Sequence, residues 1–150
     1  MYENPAPASY LPPSPPMPIN IFTYGSLMFP AVWQRVVHGH YAPAPATVRD
    51  YRRYAVAGDT YPGIVASPGD SVDGVIYQNV EPDDVTRLDH FEGVDYRRIE
   101  IDAHRSDGST QLVQTYLMIR PQALSDQAWL PENFALQQFL DTYCRDKLGS

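Results

Sequence analysis

Glu92 closes the run Leu88-Asp-His-Phe-Glu92 and is followed directly by Gly93. Spacings of three and four put Val85, Leu88 and Glu92 on one face of a helix, so a carboxyl group shares a stripe with aliphatic side chains. A carboxylate on an apolar face is costly unless it is paired or protonated. A helix C-terminus adds to that cost, because its unpaired carbonyls carry partial negative charge. Both effects raise a carboxyl pKa, and a glutamate moved into the neutral range can take a proton and return it. A frayed helix end with Glu92 in water is the competing reading, since surface glutamate is the norm.

Tyr24-Gly25-Ser26-Leu27 is the second candidate. A strand that ends in Gly-Ser leaves backbone N–H groups outside the ladder, and such groups can converge on an anion. Glycine lets another group approach the backbone closely. Here the competing reading is a tight turn before a helix. His38-Gly39-His40 could aim two imidazoles one way, but no third ligand accompanies them, which disfavours a metal. Cys144 reads as a small core residue and His90 as a helix-surface residue. Arg97 and Arg98 could bind a substrate carboxylate, yet beside Glu100 and Asp102 they read as surface ion pairs.

The elements that must position these groups follow from pattern. Ile19–Tyr24 reads as a strand running into the Gly-Ser turn. Phe29–Val37 has Val32, Val36 and Trp33, Val37 four apart, a helical spacing. Val48–Ala57 and Val72–Val80 read as strands. Glu81–Phe91 reads as a helix, with Pro82 in its first turn and Gly93 after its end. Arg98–His104 alternates, with Ile99, Ile101 and Ala103 facing one way and Arg98, Glu100 and Asp102 the other. Asp107-Gly108 signals a hairpin into Gln111–Ile119. Asn133–Leu148 closes the chain as an amphipathic helix, with Leu136, Phe139, Leu140 and Tyr143 on one side. Strands joined by hairpins rather than regular helical crossovers indicate an antiparallel sheet. The expected fold is α+β: a small mixed, mainly antiparallel, barrel-like sheet with flanking helices.

The length of 150 residues suits one domain. Residues 1–18 hold seven of the fifteen prolines and read as a disordered or extended tail, with the domain over 19–150. Pro12, Pro13, Pro15 and Pro16 could dock in an aromatic groove, but a passive tail suits the composition better. A net charge of −7 argues against nucleic acid and against anionic membranes. The single cysteine excludes an internal disulfide and fits a reducing, cytoplasmic setting. No apolar run is long enough to span a bilayer, and no signal peptide is visible. Oligomeric state is not legible.

FTYGSLM, TYPGIV at Thr60–Val65, VDGVIYQ at Val72–Gln78 and LDHFEGVDYRR at Leu88–Arg98 occur in that order. This series resembles the γ-glutamylcyclotransferase-like superfamily, which includes the AIG2-like proteins, over roughly Ile19 to Ile119. The resemblance implies a small barrel with a cavity at one end and no cofactor or metal. It implies a small-molecule γ-glutamyl substrate whose α-amine attacks its own γ-carbonyl, releasing 5-oxoproline and a free amine. It assigns the acid/base role to Glu92 and the substrate loop to Tyr24, Gly25, Ser26 and Leu27. Tyr116 falls near the pocket, a looser match, and Tyr61-Pro62-Gly63 at its wall. A hydrolase acting on another amide through Glu92, and a binding protein that kept the fold without the chemistry, are the alternatives.

Overall fold

The computed structural model describes residues 17–148. Of the expected tail over residues 1–18, residues 1–16 lie outside the described residues. The first strand, β1 (Ile19–Thr23), leads into a 3-10 turn at Ser26–Met28 and helix α1 (Pro30–Val36). Strands β2 (Pro43–Val56) and β3 (Pro62–Val80) follow, then α2 (Pro82–Glu92), β4 (Tyr96–Arg105), β5 (Thr110–Met118) and the short β6 (Leu124–Ala128). The C-terminal helix runs as α3 (Leu136–Phe139), a π turn (Leu140–Cys144) and α4 (Arg145–Leu148).

The strand order is β3-β1-β5-β4-β2-β6, and β2 also pairs with β3. That last pairing closes β3, β1, β5, β4 and β2 into a five-stranded barrel, with β6 on the outer half of β2. The sheet is mixed, since β1 and β5 run parallel (Ile21 opposite Gln114) while the other pairings are antiparallel. The closed barrel with its flanking helices is the barrel-like α+β fold that the sequence led us to expect.

β2 and β3 are longer than their expected spans because prolines hide them. Pro43 and Pro45 sit in the first half of β2, whose other edge touches β4 only at Ala46 and Thr47. A proline at such an open edge costs no ladder bond. Between Arg49 and Tyr51 the register slips, Asp50 takes a φ of 70°, and its side chain accepts the Gly69 N–H at 3.0 Å. This bulge bends the long β2–β3 ribbon so that one hairpin contributes to both ends of the barrel. The segment 120–132, unreadable in the sequence, holds β6 and two 3-10 turns.

Apolar alternation builds two cores. Phe22, Val48, Ile64, Val72 and Ile76 fill the barrel, and Ile21, Trp33, Tyr77, Val85, Leu88, Phe91 and Phe139 pack the helices onto it. Asp84 is a buried exception. Its carboxylate accepts the backbone N–H groups of His38 and Gly39 at 2.8 and 2.9 Å, the Tyr41 hydroxyl at 2.7 Å and Arg87 at 2.7 Å. Burial pushes its pKa up, but these bonds together outweigh burial and hold it below the usual range. The His38-Gly39-His40 run is thus a loop pinned by its backbone, with both imidazoles exposed.

Candidate active site

Glu92 is the last residue of α2. Gly93 follows at φ 88°, a conformation open to glycine, and its N–H bonds the Asp89 carbonyl at 3.1 Å. The helix stops there, and Glu92 faces a cavity between the end of the barrel and the C-terminal helix. The cavity holds about 420 Å³ of free space counted out to its mouth, but it is narrow. Phe22, Thr23, Pro62, Phe91, Tyr96, Phe139 and Tyr143 form part of its lining.

Tyr24, Gly25, Ser26, Leu27, Tyr61, Glu92 and Tyr116 all line this one cavity. The β1–α1 connection brings in the first four. Gly25 packs so closely on Pro62 that a Cβ would sit 2.8 Å from that ring, so close approach demands glycine here. The Met28 N–H bonds the Gly25 carbonyl at 3.0 Å, closing the 3-10 turn. The N–H groups of Ser26 and Leu27 open that turn and have no acceptor within it. Arg53 fixes the loop from outside by donating to the Tyr24 carbonyl at 2.7 Å.

Burial is the largest influence on Glu92 and raises its pKa to about 8; Asp89 adds to the rise and Lys147 opposes it. The residue is half-buried, so solvent reaches one side of it. The surrounding phenols are pushed the other way from chemistry. Burial raises Tyr24 and Tyr116 well above 10, and raises Tyr61 to about 12 with help from Asp59. Tyr96 and Tyr143 are also raised by burial. All five therefore stay protonated and act as donors. Tyr24 donates to the Tyr116 carbonyl at 2.6 Å, Tyr96 to the Pro62 carbonyl at 2.7 Å and Tyr143 to the Phe91 carbonyl at 2.6 Å. Glu92 is the lining side chain left to titrate near neutrality.

A buried network lies beneath it. The Tyr116 hydroxyl donates to Asp89 at 2.6 Å, and Arg98 grips both oxygens of the same carboxylate at 3.0 and 3.2 Å. Arg98 also donates to Gln114 and is only 5% exposed. The expectation that Arg98 forms a surface pair is therefore corrected. Strand alternation does put it on the Glu100 and Asp102 face, but the end of α2 covers that face at the start of β4, and Asp89 meets it there. The pairing Asp89–Arg98 spans nine residues and has no periodic signature.

The aromatic roof also escaped pattern reading. Phe139 and Tyr143 stack at 5.0 Å between centroids and 14° between planes, and Tyr143 meets Tyr61 edge-on at 5.0 Å. Their spacing of four marked an apolar face, with nothing to say that the face covers a site. Cys144 is buried as expected, and burial pushes its thiol up. His90 is exposed. No helix among the described residues is long and apolar enough to cross a membrane.

The family model described as gamma-glutamyl cyclotransferase, AIG2-like, matches residues 21–133. Protein AIG2 C of Arabidopsis thaliana is 34% identical over 107 residues, covering 71% of this chain and 65% of that protein. The chain spans slightly less than two thirds of the curated relatives it matches first, at 65%, 63% and 61% of their lengths. The solution structure of an Arabidopsis thaliana protein superposes with a TM-score of 0.67 at 28% identity, over 89% of this chain and 84% of that one. A solved structure described as gamma-glutamyl cyclotransferase gives a TM-score of 0.57 at 25% identity, over 67% of this chain and 66% of that one. The site lies within the matched span except for its aromatic roof, and on this match the chain belongs to the gamma-glutamyl cyclotransferase, AIG2-like family.

Proposed function

We propose that this protein cleaves a γ-glutamyl amide by intramolecular aminolysis, with Glu92 as the acid/base group. The observation that carries the reading is a carboxyl group with a pKa of about 8 in a cavity whose other titratable side chains stay protonated. In the reaction, Glu92 takes a proton from the substrate's α-ammonium, whose reference pKa is also about 8, so transfer costs little. The freed amine attacks the γ-carbon of the same molecule. A bond forms between the α-nitrogen and the γ-carbon, and protonated Glu92 gives its proton to the departing nitrogen as the old amide C–N bond breaks; the ionised Glu92 then takes the second proton from the ring nitrogen and passes it to the released amine, which leaves as an ammonium ion. The products are 5-oxoproline and an amine, and no water is consumed.

Tyr24, Gly25, Ser26 and Leu27 form the substrate loop in this reading. The N–H groups of Ser26 and Leu27 hold the α-carboxylate or the oxygen that gains charge during attack. Tyr61 and Tyr116 shape the walls. Folding the substrate so that amine and carbonyl touch supplies an effective molarity that reaches ~10⁵–10⁸ M in well-oriented cases. The reading is tested by incubating the protein with a panel of γ-glutamyl amides and assaying for 5-oxoproline. Free glutamate in its place would mean hydrolysis by the same carboxyl group, and binding without either product would mean a non-catalytic receptor.

A further inference from the structure

Asp89 stands one turn before Glu92, and its backbone carbonyl accepts the Gly93 N–H at 3.1 Å, the bond that ends α2. Its carboxylate lies behind the cavity rather than in the lining. There it meets two partners from the barrel wall, Arg98 of β4 on both oxygens and the Tyr116 hydroxyl of β5. Arg98 and Tyr116 stand opposite each other in the β4–β5 ladder, and Arg98 is held in turn by Gln114. The Tyr116 carbonyl accepts the Tyr24 hydroxyl. One position of β5 thus joins the turn that carries Glu92 to the loop that shares its cavity.

Adhesion of α2 to the barrel does not require this pair, because Val85, Leu88 and Phe91 already bury the helix. An ion pair at such depth adds little net stability over apolar side chains in its place. A two-point contact between guanidinium and carboxylate does fix orientation, which apolar packing does less strictly. Asp89 also acts through its charge, which disfavours ionisation of Glu92 one turn away. Lys147 of α4 opposes it. On its other side Glu92 borders an open outer cavity of about 890 Å³, which Asp59, Asp95 and Lys147 line as well. Arg98 stands behind Asp89, and the surrounding phenols stay protonated.

We propose that Asp89 is a positioning residue: gripped by Arg98 and Tyr116, it fixes the last turn of α2 against β4 and β5, so that the Glu92 carboxyl stays directed into the cavity it shares with the Tyr24–Leu27 loop. This rests on the function proposed above, since a Glu92 that moves protons to and from a bound substrate must be held to a fraction of an ångström. Arg98 and Tyr116 act on the reaction through Asp89, and Asp89 acts through Glu92.

The test uses Asp89→Asn and Arg98→Lys in the full chain. Asparagine keeps the size of Asp89 without its charge, and lysine keeps the charge of Arg98 without the two-point grip. At about pH 9 Glu92 is largely ionised in every protein, so kcat there reads placement. Both variants should lose about tenfold in kcat for release of 5-oxoproline, with KM changed less than about twofold. Asp89→Asn alone should also lower the midpoint of the kcat/KM limb by about one pH unit. A kcat within twofold of wild type in Arg98→Lys, or a loss in either variant carried by KM, overturns the proposal. The chain has five glutamates, and carbon-13 NMR of their carboxyls, with Glu92 assigned by its loss in Glu92→Gln, follows Glu92 without substrate. An unmoved Glu92 midpoint in folded Asp89→Asn overturns the proposal whatever the reaction. Exchange of the Gly93 amide reads the grip itself and should be at least about tenfold faster in Arg98→Lys, with β1 amides unchanged. Unchanged Gly93 exchange overturns the proposal even if Asp89→Asn does not fold. A moved midpoint and faster exchange without 5-oxoproline from any protein overturn the reaction alone.

Discussion

Glu92→Gln should make the protein more stable at alkaline pH while abolishing turnover. A carboxyl whose folded pKa is raised favours the folded state only while protonated. Its contribution is fully present below its ordinary value of 4.5 and is lost as pH rises through about 8. At about 1.4 kcal/mol per pH unit, the whole span is worth about 5 kcal/mol. Glu92 is half-buried and its ionised form gains some solvation from the outer cavity, so about 2–4 kcal/mol is the figure to expect. Glutamine keeps the shape and never ionises. Urea unfolding of both proteins at pH 5 and pH 8.5 should therefore give nearly equal stabilities at the lower pH. At the higher pH the variant should be more stable by about 2–4 kcal/mol, with m unchanged. The variant should also lose at least about 10²–10⁴-fold in kcat, as expected for an acid/base group used in both steps. A stability difference that does not vary with pH would refute the burial of this carboxyl, and near-wild-type turnover would refute its role.

In the wild type, kcat/KM for a γ-glutamyl amide should rise with pH along a limb centred near 8, since Glu92 must be ionised to accept the first proton; a limb centred near 4.5 would show an ordinary exposed glutamate. Gly25→Ala should raise KM and lower Tm together, because the added Cβ meets Pro62 at 2.8 Å and displaces the loop, whereas Ser26→Ala keeps its N–H and should change kcat/KM by less than about threefold. A larger loss in Ser26→Ala, read by steady-state kinetics, would assign the function to the hydroxyl. Arg98→Met leaves the half-buried Asp89 carboxylate without its cation, and denaturant unfolding should register a loss of about 1–3 kcal/mol. Asp84→Ala should cost about 2–4 kcal/mol by freeing the His38–Tyr41 loop, with KM unchanged, as kinetics on the folded fraction would show.

What the amino-acid sequence determined by itself is local. The Pro82 start and Gly93 stop of α2 are chemical properties of two residues, and they put Glu92 on the final turn before any tertiary contact is known. The spacing Val85, Leu88, Glu92 put a carboxyl group on the aliphatic face of α2 and left open whether water reaches it. The Asp107-Gly108 turn and the alternation of Ile99, Ile101 and Ala103 likewise define the β4–β5 hairpin from its own residues. Of the seven residues named by resemblance, five lie in the β1–α1 connection or at the end of α2, where local turn and cap residues set the chain's course into the cavity.

Tertiary structure decided the rest, since it depends on which surfaces meet. The barrel closes through the β2–β3 pairing, whose prolines and bulge disguise two long strands as several short ones. Arg98 looked outward by alternation and is buried, because the end of α2 lies over that part of β4 and supplies Asp89. Phe139 and Tyr143 shared a helix face in the sequence, but only the docking of that helix sets them, with Lys147, around Glu92. Periodicity tells a side chain that it will be covered. Solvent exclusion, and with it the pKa of Glu92, is set by the groups from distant parts of the chain that do the covering.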